Sequence, residues 1–247
     1  VMSPLLLLLT LAVYGVAGYL FWRERSVCYL LTLIGGHLAM LLMPLWERAY
    51  QPAPTDGGGL VLADGVAIAW PVLIYGGVLL VVPALLFYYG LRHRWWPRHY
   101  AVLWAGYAVA VLYFAVIDVG LQRGNQGLIG LSRLAAAAIV PPTLTQAMLL
   151  AGVSLFVLYA MISTRHYGLQ MAFVPLLLAA IVGSLLFLGI LGGPLWVAGL
   201  LAQQGVLDER GRLISLATLI SLLLVLWGVH LLAAGLHSGR RQHLVWR

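Results

Sequence analysis

The chain contains no lysine, a single cysteine, Cys28, and only 9% charged residues, and each shortage removes a class of protein. Without a lysine amine there is no Schiff base to retinal, so a light-driven pigment of that type is excluded. A lone cysteine closes no internal disulfide and builds no thiolate metal cluster. Soluble domains carry roughly a quarter charged residues. A chain that is 63% hydrophobic with so few charges could not keep its surface hydrated. Nor does the sequence repeat itself, which argues against transporter folds built from duplicated halves. No glycine opens a helix after a strand, so no phosphate-binding loop is implied. No segment shows the alternation over about 10 residues that marks a transmembrane β-barrel.

What is present is a set of seven apolar runs, each free of Asp, Glu, Lys and Arg: Ser3–Trp22, Ser26–Trp46, Val66–Tyr89, Ala101–Ile117, Pro142–Ser163, Leu169–Leu191 and Ile214–Leu236. In hydrocarbon every backbone N–H and C=O must be paired internally, so apolar runs of about 20 residues are read as spanning helices. The arginines give the orientation. Arg23, Arg25, Arg92, Arg94, Arg98, Arg165, Arg240, Arg241 and Arg247 fall in the odd connections and the C-terminal tail, with Glu24 as their one acid. Arg48, Arg123, Arg133, Arg210 and Arg212 share the other connections with six acids, so the richer side is expected to be cytoplasmic. The fold expected is all-α: a single domain over residues 1–247, polytopic with seven transmembrane helices, N-terminus outside and C-terminus cytoplasmic. The first run is read as an uncleaved helix, because Arg23-Glu24-Arg25 follows it and no basic region precedes it. The expected location is a prokaryotic cytoplasmic membrane.

Two stretches depart from plain spans. Residues 127–140 are apolar but too short to cross, and with Arg133 among them they are expected to lie in the interface or re-enter. Gly192-Gly193-Pro194 should end the sixth helix and let residues 195–203 run along the surface. The segment Glu47–Gly65 is expected to form a loop over the outer face. Trp22, Trp46, Trp95, Trp96, Trp196 and Trp246 fall near span ends, where an amphipathic ring suits the membrane interface. The net charge of +7 follows from this topology, so no nucleic acid is expected as a partner.

Ionisable groups inside a bilayer are costly and therefore suggest function. His37 and His230 lie within the spans. Their expected depths from the cytoplasmic end differ, about 16 Å against about 9 Å, which weighs against one haem shared between them and leaves a packing contact or a substrate hydrogen bond. Glu47 and Asp118 each close an uncharged helix on the same outer side. A carboxyl at such a place can hold and deliver a proton, although pairing of Glu47 with Arg48 or Arg123 is the plainer reading. Tyr75, Trp104, Tyr107, Tyr113, Phe114, Tyr159 and Trp227 are expected to face the bundle, where ring faces could stabilise a cationic intermediate.

The run Trp46-Glu47-Arg48-Ala49-Tyr50, ending the second of seven helices in about 240 residues, resembles the W-E-x-x-Y pattern of the small integral-membrane terpene cyclases. The resemblance implies proton-initiated cyclisation of a polyprenyl substrate, with Glu47 as the acid and Asp118 as its partner. That family carries an acid in its seventh helix, where this chain has Trp227 and His230.

The function expected is thus a membrane enzyme acting on an isoprenoid or lipid-like substrate. Glu47 and Asp118 are its catalytic residues, and His37, Tyr75, Trp104, Tyr113, Trp227 and His230 its substrate-binding residues. No cofactor or metal is expected; the expected partners are membrane lipid, a lipophilic substrate and other integral-membrane proteins. The alternatives are a non-catalytic subunit of a larger membrane complex and a bis-His haem subunit.

Overall fold

The structure, a computed structural model, describes residues 4–42, 45–46, 59–63, 66–69, 72–95, 99–122, 142–165, 167, 169–203 and 210–245. Among the described residues eight α-helices carry the fold: α1 (Pro4–Glu24), α2 (Cys28–Met40), α3 (Gly77–Arg92), α4 (Tyr100–Gln122), α5 (Pro142–Thr164), α6 (Leu169–Ser184), α7 (Gly193–Gln203) and α8 (Arg210–Val245). Pro4 and Pro142 stand at first helical positions, where the missing N–H costs nothing and φ is already set. A π-helical turn, Val72–Gly76, leads into α3, and a longer π-helical segment, Leu185–Leu191, extends α6.

Among the described residues six helices are long and apolar enough to cross a membrane: Leu6–Glu24, Leu73–Arg92, Tyr100–Gly120, Leu144–Thr164, Gln170–Leu191 and Arg212–His237. The second expected span is a shorter apolar helix, α2, of 13 residues. The sequence explains its end. Pro44 has no N–H for the carbonyl of Met40 four residues back, and its ring would clash there. Leu41, Leu42 and Leu45 instead donate to Leu38, Ala39 and Leu42, tightening the chain into three-residue turns.

The structure corrects the expected start of the third span, while the described residues are otherwise helical, as the expected all-α fold requires. Val66–Ala69 is strand β2, paired antiparallel with β1 (Gly59–Ala63), with Leu60 opposite Ile68 and Val61 opposite Ala67. Asp64-Gly65 between two apolar β-rich runs is a strong local hairpin signal. Two more boundaries move outward. α4 runs to Gln122 rather than Ile117, and α8 continues to Val245 through residues expected as a hydrophilic tail. The sixth span ends at Leu191 as expected, and α7 follows directly after a turn at Gly192. The stretch 127–140 lies outside the described residues.

Helix α5 is the centre of the bundle, packing against α3, α4, α6 and α8; α2 lies between α3 and α6, α1 packs mainly on α2, and α7 on α8. Consecutive helices α3 and α4 scarcely meet, and α5 fills the space between them. In lipid, close approach of backbones replaces the missing hydrophobic drive. A Cβ on Gly35 would come within 2.6 Å of the Leu177 carbonyl oxygen, and one on Gly77 within 2.6 Å of the His37 nitrogen. Gly152 makes room for the ring of Phe187, which is fully buried.

The end of α3 is closed by backbone geometry rather than by glycine. Trp95 N–H donates to Gly90 O at 2.9 Å and Arg94 N–H to Leu91 O at 3.4 Å, a Schellman arrangement with Arg94 in the left-handed region at φ 59°. Arg25, after α1, takes the same region at φ 49°.

Candidate functional site

Asp118 lies one turn inside α4 rather than at its end, and it is 1% exposed. Nε2 of Gln146 on α5, itself 0% exposed, donates to Oδ1 of Asp118 at 3.1 Å. The Gln146 Oε1 is buried with no partner among the described residues. An acid and an amide meeting at such depth form a polar spot in an apolar bundle, where polar groups must find partners within the protein. Sequence reasoning passed over Gln146 because only ionisable side chains were sought inside the spans. The signal was available, since an amide in an apolar helix needs partners as much as an acid does.

Tyr113, one of the expected substrate-binding rings, faces the bundle on the same helix and donates its hydroxyl to Leu79 O at 3.2 Å. Tyr107 donates to Met148 O at 3.0 Å, and Ser154 to Leu80 O at 2.6 Å. Leu79 is the residue four before Pro83, so its carbonyl lacks the usual helical donor. Side chains from α4 and α5 thus cap the α3 backbone around its proline. Tyr75 is buried in the π-helical turn.

His37 belongs to a different flank. Its Nδ1 is 2.8 Å from Leu73 O, and its ring stacks on Tyr14 with centroids 5.8 Å apart and planes 14° from parallel. His37 sits on α2, which packs on α3 and α6, whereas Asp118 sits on α4, which packs on α5 and α8. The two are not brought together.

His230 and Trp104 lie near a third spot. The Tyr100 hydroxyl is 2.6 Å from His230 Nδ1, and the rings of Tyr100, Trp104 and Tyr107 meet edge to face. His230 is exposed, and Trp227 on the same helix is 59% exposed, so Trp227 faces outward instead of into the bundle. A spacing of three on α8 puts both on one outer stripe. His37 and His230 stand on helices that do not share a main packing face, and the structure does not assemble the pair around a common iron.

Glu47 lies outside the described residues. Its neighbour Trp46 is half-buried and packs on Gly189, and together with Leu185, Ile190 and Trp196 it lines a shallow apolar depression of about 420 Å³. The π-helical segment after Ser184 forms much of one wall.

No family of known proteins, no curated protein and no solved structure matches this chain. The site therefore stands on its own geometry.

At the other end of the bundle Glu24 has a structural role. Glu24, 9% exposed at its side chain, pairs with Arg92 Nε at 3.0 Å and His93 Nε2 at 3.1 Å and accepts a longer bond from the Tyr29 hydroxyl at 3.4 Å. It clasps the ends of α1 and α3 and the start of α2. The sign in the sequence was its isolation as the single acid among nine arginines.

Proposed function

We propose that this is an integral membrane enzyme that takes an isoprenoid or similarly lipid-like substrate from the bilayer and delivers a proton to it from Asp118. In this reading the chain crosses the membrane seven times, with its N-terminus outside and its C-terminus cytoplasmic. The observation that carries the proposal is the full burial of Asp118 against Gln146 within an apolar helix pair. A carboxyl in such a place is costly unless it is protonated or paired, and a protonated carboxyl away from water is a proton donor. The apolar depression beside Trp46 lends support, since Glu47, the second acid of the proposal, is the next residue in the chain.

The test is turnover of a panel of prenyl alcohols, prenyl epoxides and their olefins by purified protein in lipid nanodiscs, with products identified by mass spectrometry. Asp118→Asn keeps the shape and removes the proton; it should lower turnover at least about 100-fold, the usual scale of a lost general acid. Equal product formation by the variant and the parent would remove the proposal.

A second reading, a non-catalytic subunit of a larger membrane complex, draws on α1. That helix packs mainly on α2 and turns Leu8, Leu11, Val16 and Trp22 outward. Stoichiometric co-migration with another integral-membrane chain after mild extraction would favour it.

A further inference from the structure

We propose that His37 is the polar end of a second binding site, one that accepts a hydrogen bond from the hydroxyl of a lipophilic alcohol. A carbonyl oxygen can only accept, so the contact between Nδ1 and Leu73 O at 2.8 Å requires the proton on Nδ1. In the neutral ring that leaves Nε2 as a bare lone pair. Nothing among the described residues bonds to Nε2, and the side chain is partly exposed.

Three restraints hold the imidazole in this state. Leu73 belongs to the π-helical turn before α3, a departure from regular helix of a kind that recurs at functional sites. Tyr14 of α1 covers one ring face in a near-parallel stack. Gly77 lets α3 approach the His37 backbone so closely that a Cβ there would fall 2.6 Å from its nitrogen and 2.7 Å from Nδ1. A histidine kept only for packing needs none of its lone pairs kept clear. An orienting carbonyl on one ring nitrogen with the other left open is the arrangement by which proteins present an imidazole to a ligand.

The ligand's chemistry follows from the atom and its surroundings. A neutral Nε2 accepts one hydrogen bond, so the partner must carry an N–H or O–H. The ring lies between Tyr14 of the apolar helix α1 and the apolar π-helical turn Val72–Gly76, so the rest of the partner must be hydrocarbon. A long-chain or prenyl alcohol meets both conditions. This site does not depend on the Asp118 proposal, because α3 and α5 intervene in the packing between α2 and α4.

The experiment compares farnesol with farnesyl methyl ether, which has the same chain and no O–H, in binding to the full protein in nanodiscs. Farnesol should bind about tenfold more tightly than the ether, the scale of one hydrogen bond. His37→Asn places an amide N–H where Nδ1 stood and has nothing at Nε2, so it should keep the parent's melting temperature and lose that preference. Nitrogen NMR of protein labelled in histidine should show Nε2 of His37 unprotonated, a reading that needs no variant. A protonated Nε2, equal binding of alcohol and ether, or unchanged preference in His37→Asn would overturn the proposal. A Soret band lost in His37→Asn would also overturn it, assigning Nε2 to iron instead.

Discussion

The Tyr113 hydroxyl donates to the Leu79 carbonyl at 3.2 Å, and that carbonyl is the one Pro83 deprives of its helical donor. A proline inside an apolar helix is tolerated where a neighbour supplies the missing bond. Here the neighbour is α4, which meets α3 at few places, among them this hydroxyl and the Phe87 ring seated on Gly106.

A double-mutant cycle tests this directly. Tyr113→Phe should cost about 1 kcal/mol in detergent-unfolding experiments, since it leaves a buried carbonyl unpaired. In a Pro83→Ala background the restored N–H satisfies Leu79, and the same change should cost close to nothing. Equal costs in both backgrounds would show that the two residues are not coupled.

Glycines provide a contrast within one protein. A Cβ on Gly77 would meet His37 backbone atoms at 2.6 and 2.7 Å, while one on Gly15 or Gly18 would meet nothing within 4 Å. Gly77→Ala should destabilise by at least about 2 kcal/mol, because backbone cannot step aside as a flexible side chain can. Gly15→Ala should be neutral or stabilising by up to about 1 kcal/mol through helix propensity. Melting curves of the two variants in the same detergent check the ordering.

The Glu24 clasp should matter more than a surface ion pair. Its carboxylate is 9% exposed against 27% for Arg92 and 35% for His93, so it lies between the exposed and buried regimes. Glu24→Ala should cost about 1–2 kcal/mol, above the usual surface value and below that of a fully buried pair. Glu24→Gln should recover part of this through the hydrogen bonds. Protease cleavage between α1 and α2 reports the local effect: it should accelerate in Glu24→Ala and not in Arg23→Ala.

The Asp118–Gln146 pair should be strongly non-additive in stability. Asp118→Leu alone strands the Gln146 amide at about 1–3 kcal/mol, and Gln146→Leu takes one hydrogen bond from the acid. The double replacement also removes the stranded amide and should cost less than the sum of the two single ones. Additive costs, read from reversible unfolding, would mean that each group is satisfied independently of the other.

Much of this fold was legible because lipid imposes one rule on every apolar run. The five spans after the second were found in the right order, and their errors fell at the ends, where local chemistry competes with hydropathy. The Asp-Gly pair in the sequence before Val66 favours a hairpin, and the proline four positions after Met40 disfavours a longer α2; both signals are short and are outweighed by the length of the apolar runs around them. On α8 the inward face is marked by Ser215, Thr218 and Ser221, buried at a spacing of three, and an aromatic ring alone does not tell which face it takes, so Trp227 turns outward against expectation. The site was legible in its acid and not in its amide. Asp118 stood out by charge, but its partner is 28 positions away on another helix, and only three-dimensional packing joins them.

Helix α2 finds its largest neighbour in α6, whose first residue comes more than a hundred positions later in the chain. A ribosome releases the chain in order, so Gly35 emerges well before the Leu177 carbonyl it must lie against. The interval is filled by α3, α4 and α5, which have to leave a slot of the right width open until α6 arrives. Truncation anywhere before α6 should therefore yield a product that the cell's membrane proteases recognise and clear, even though most of the apolar segments are already in place.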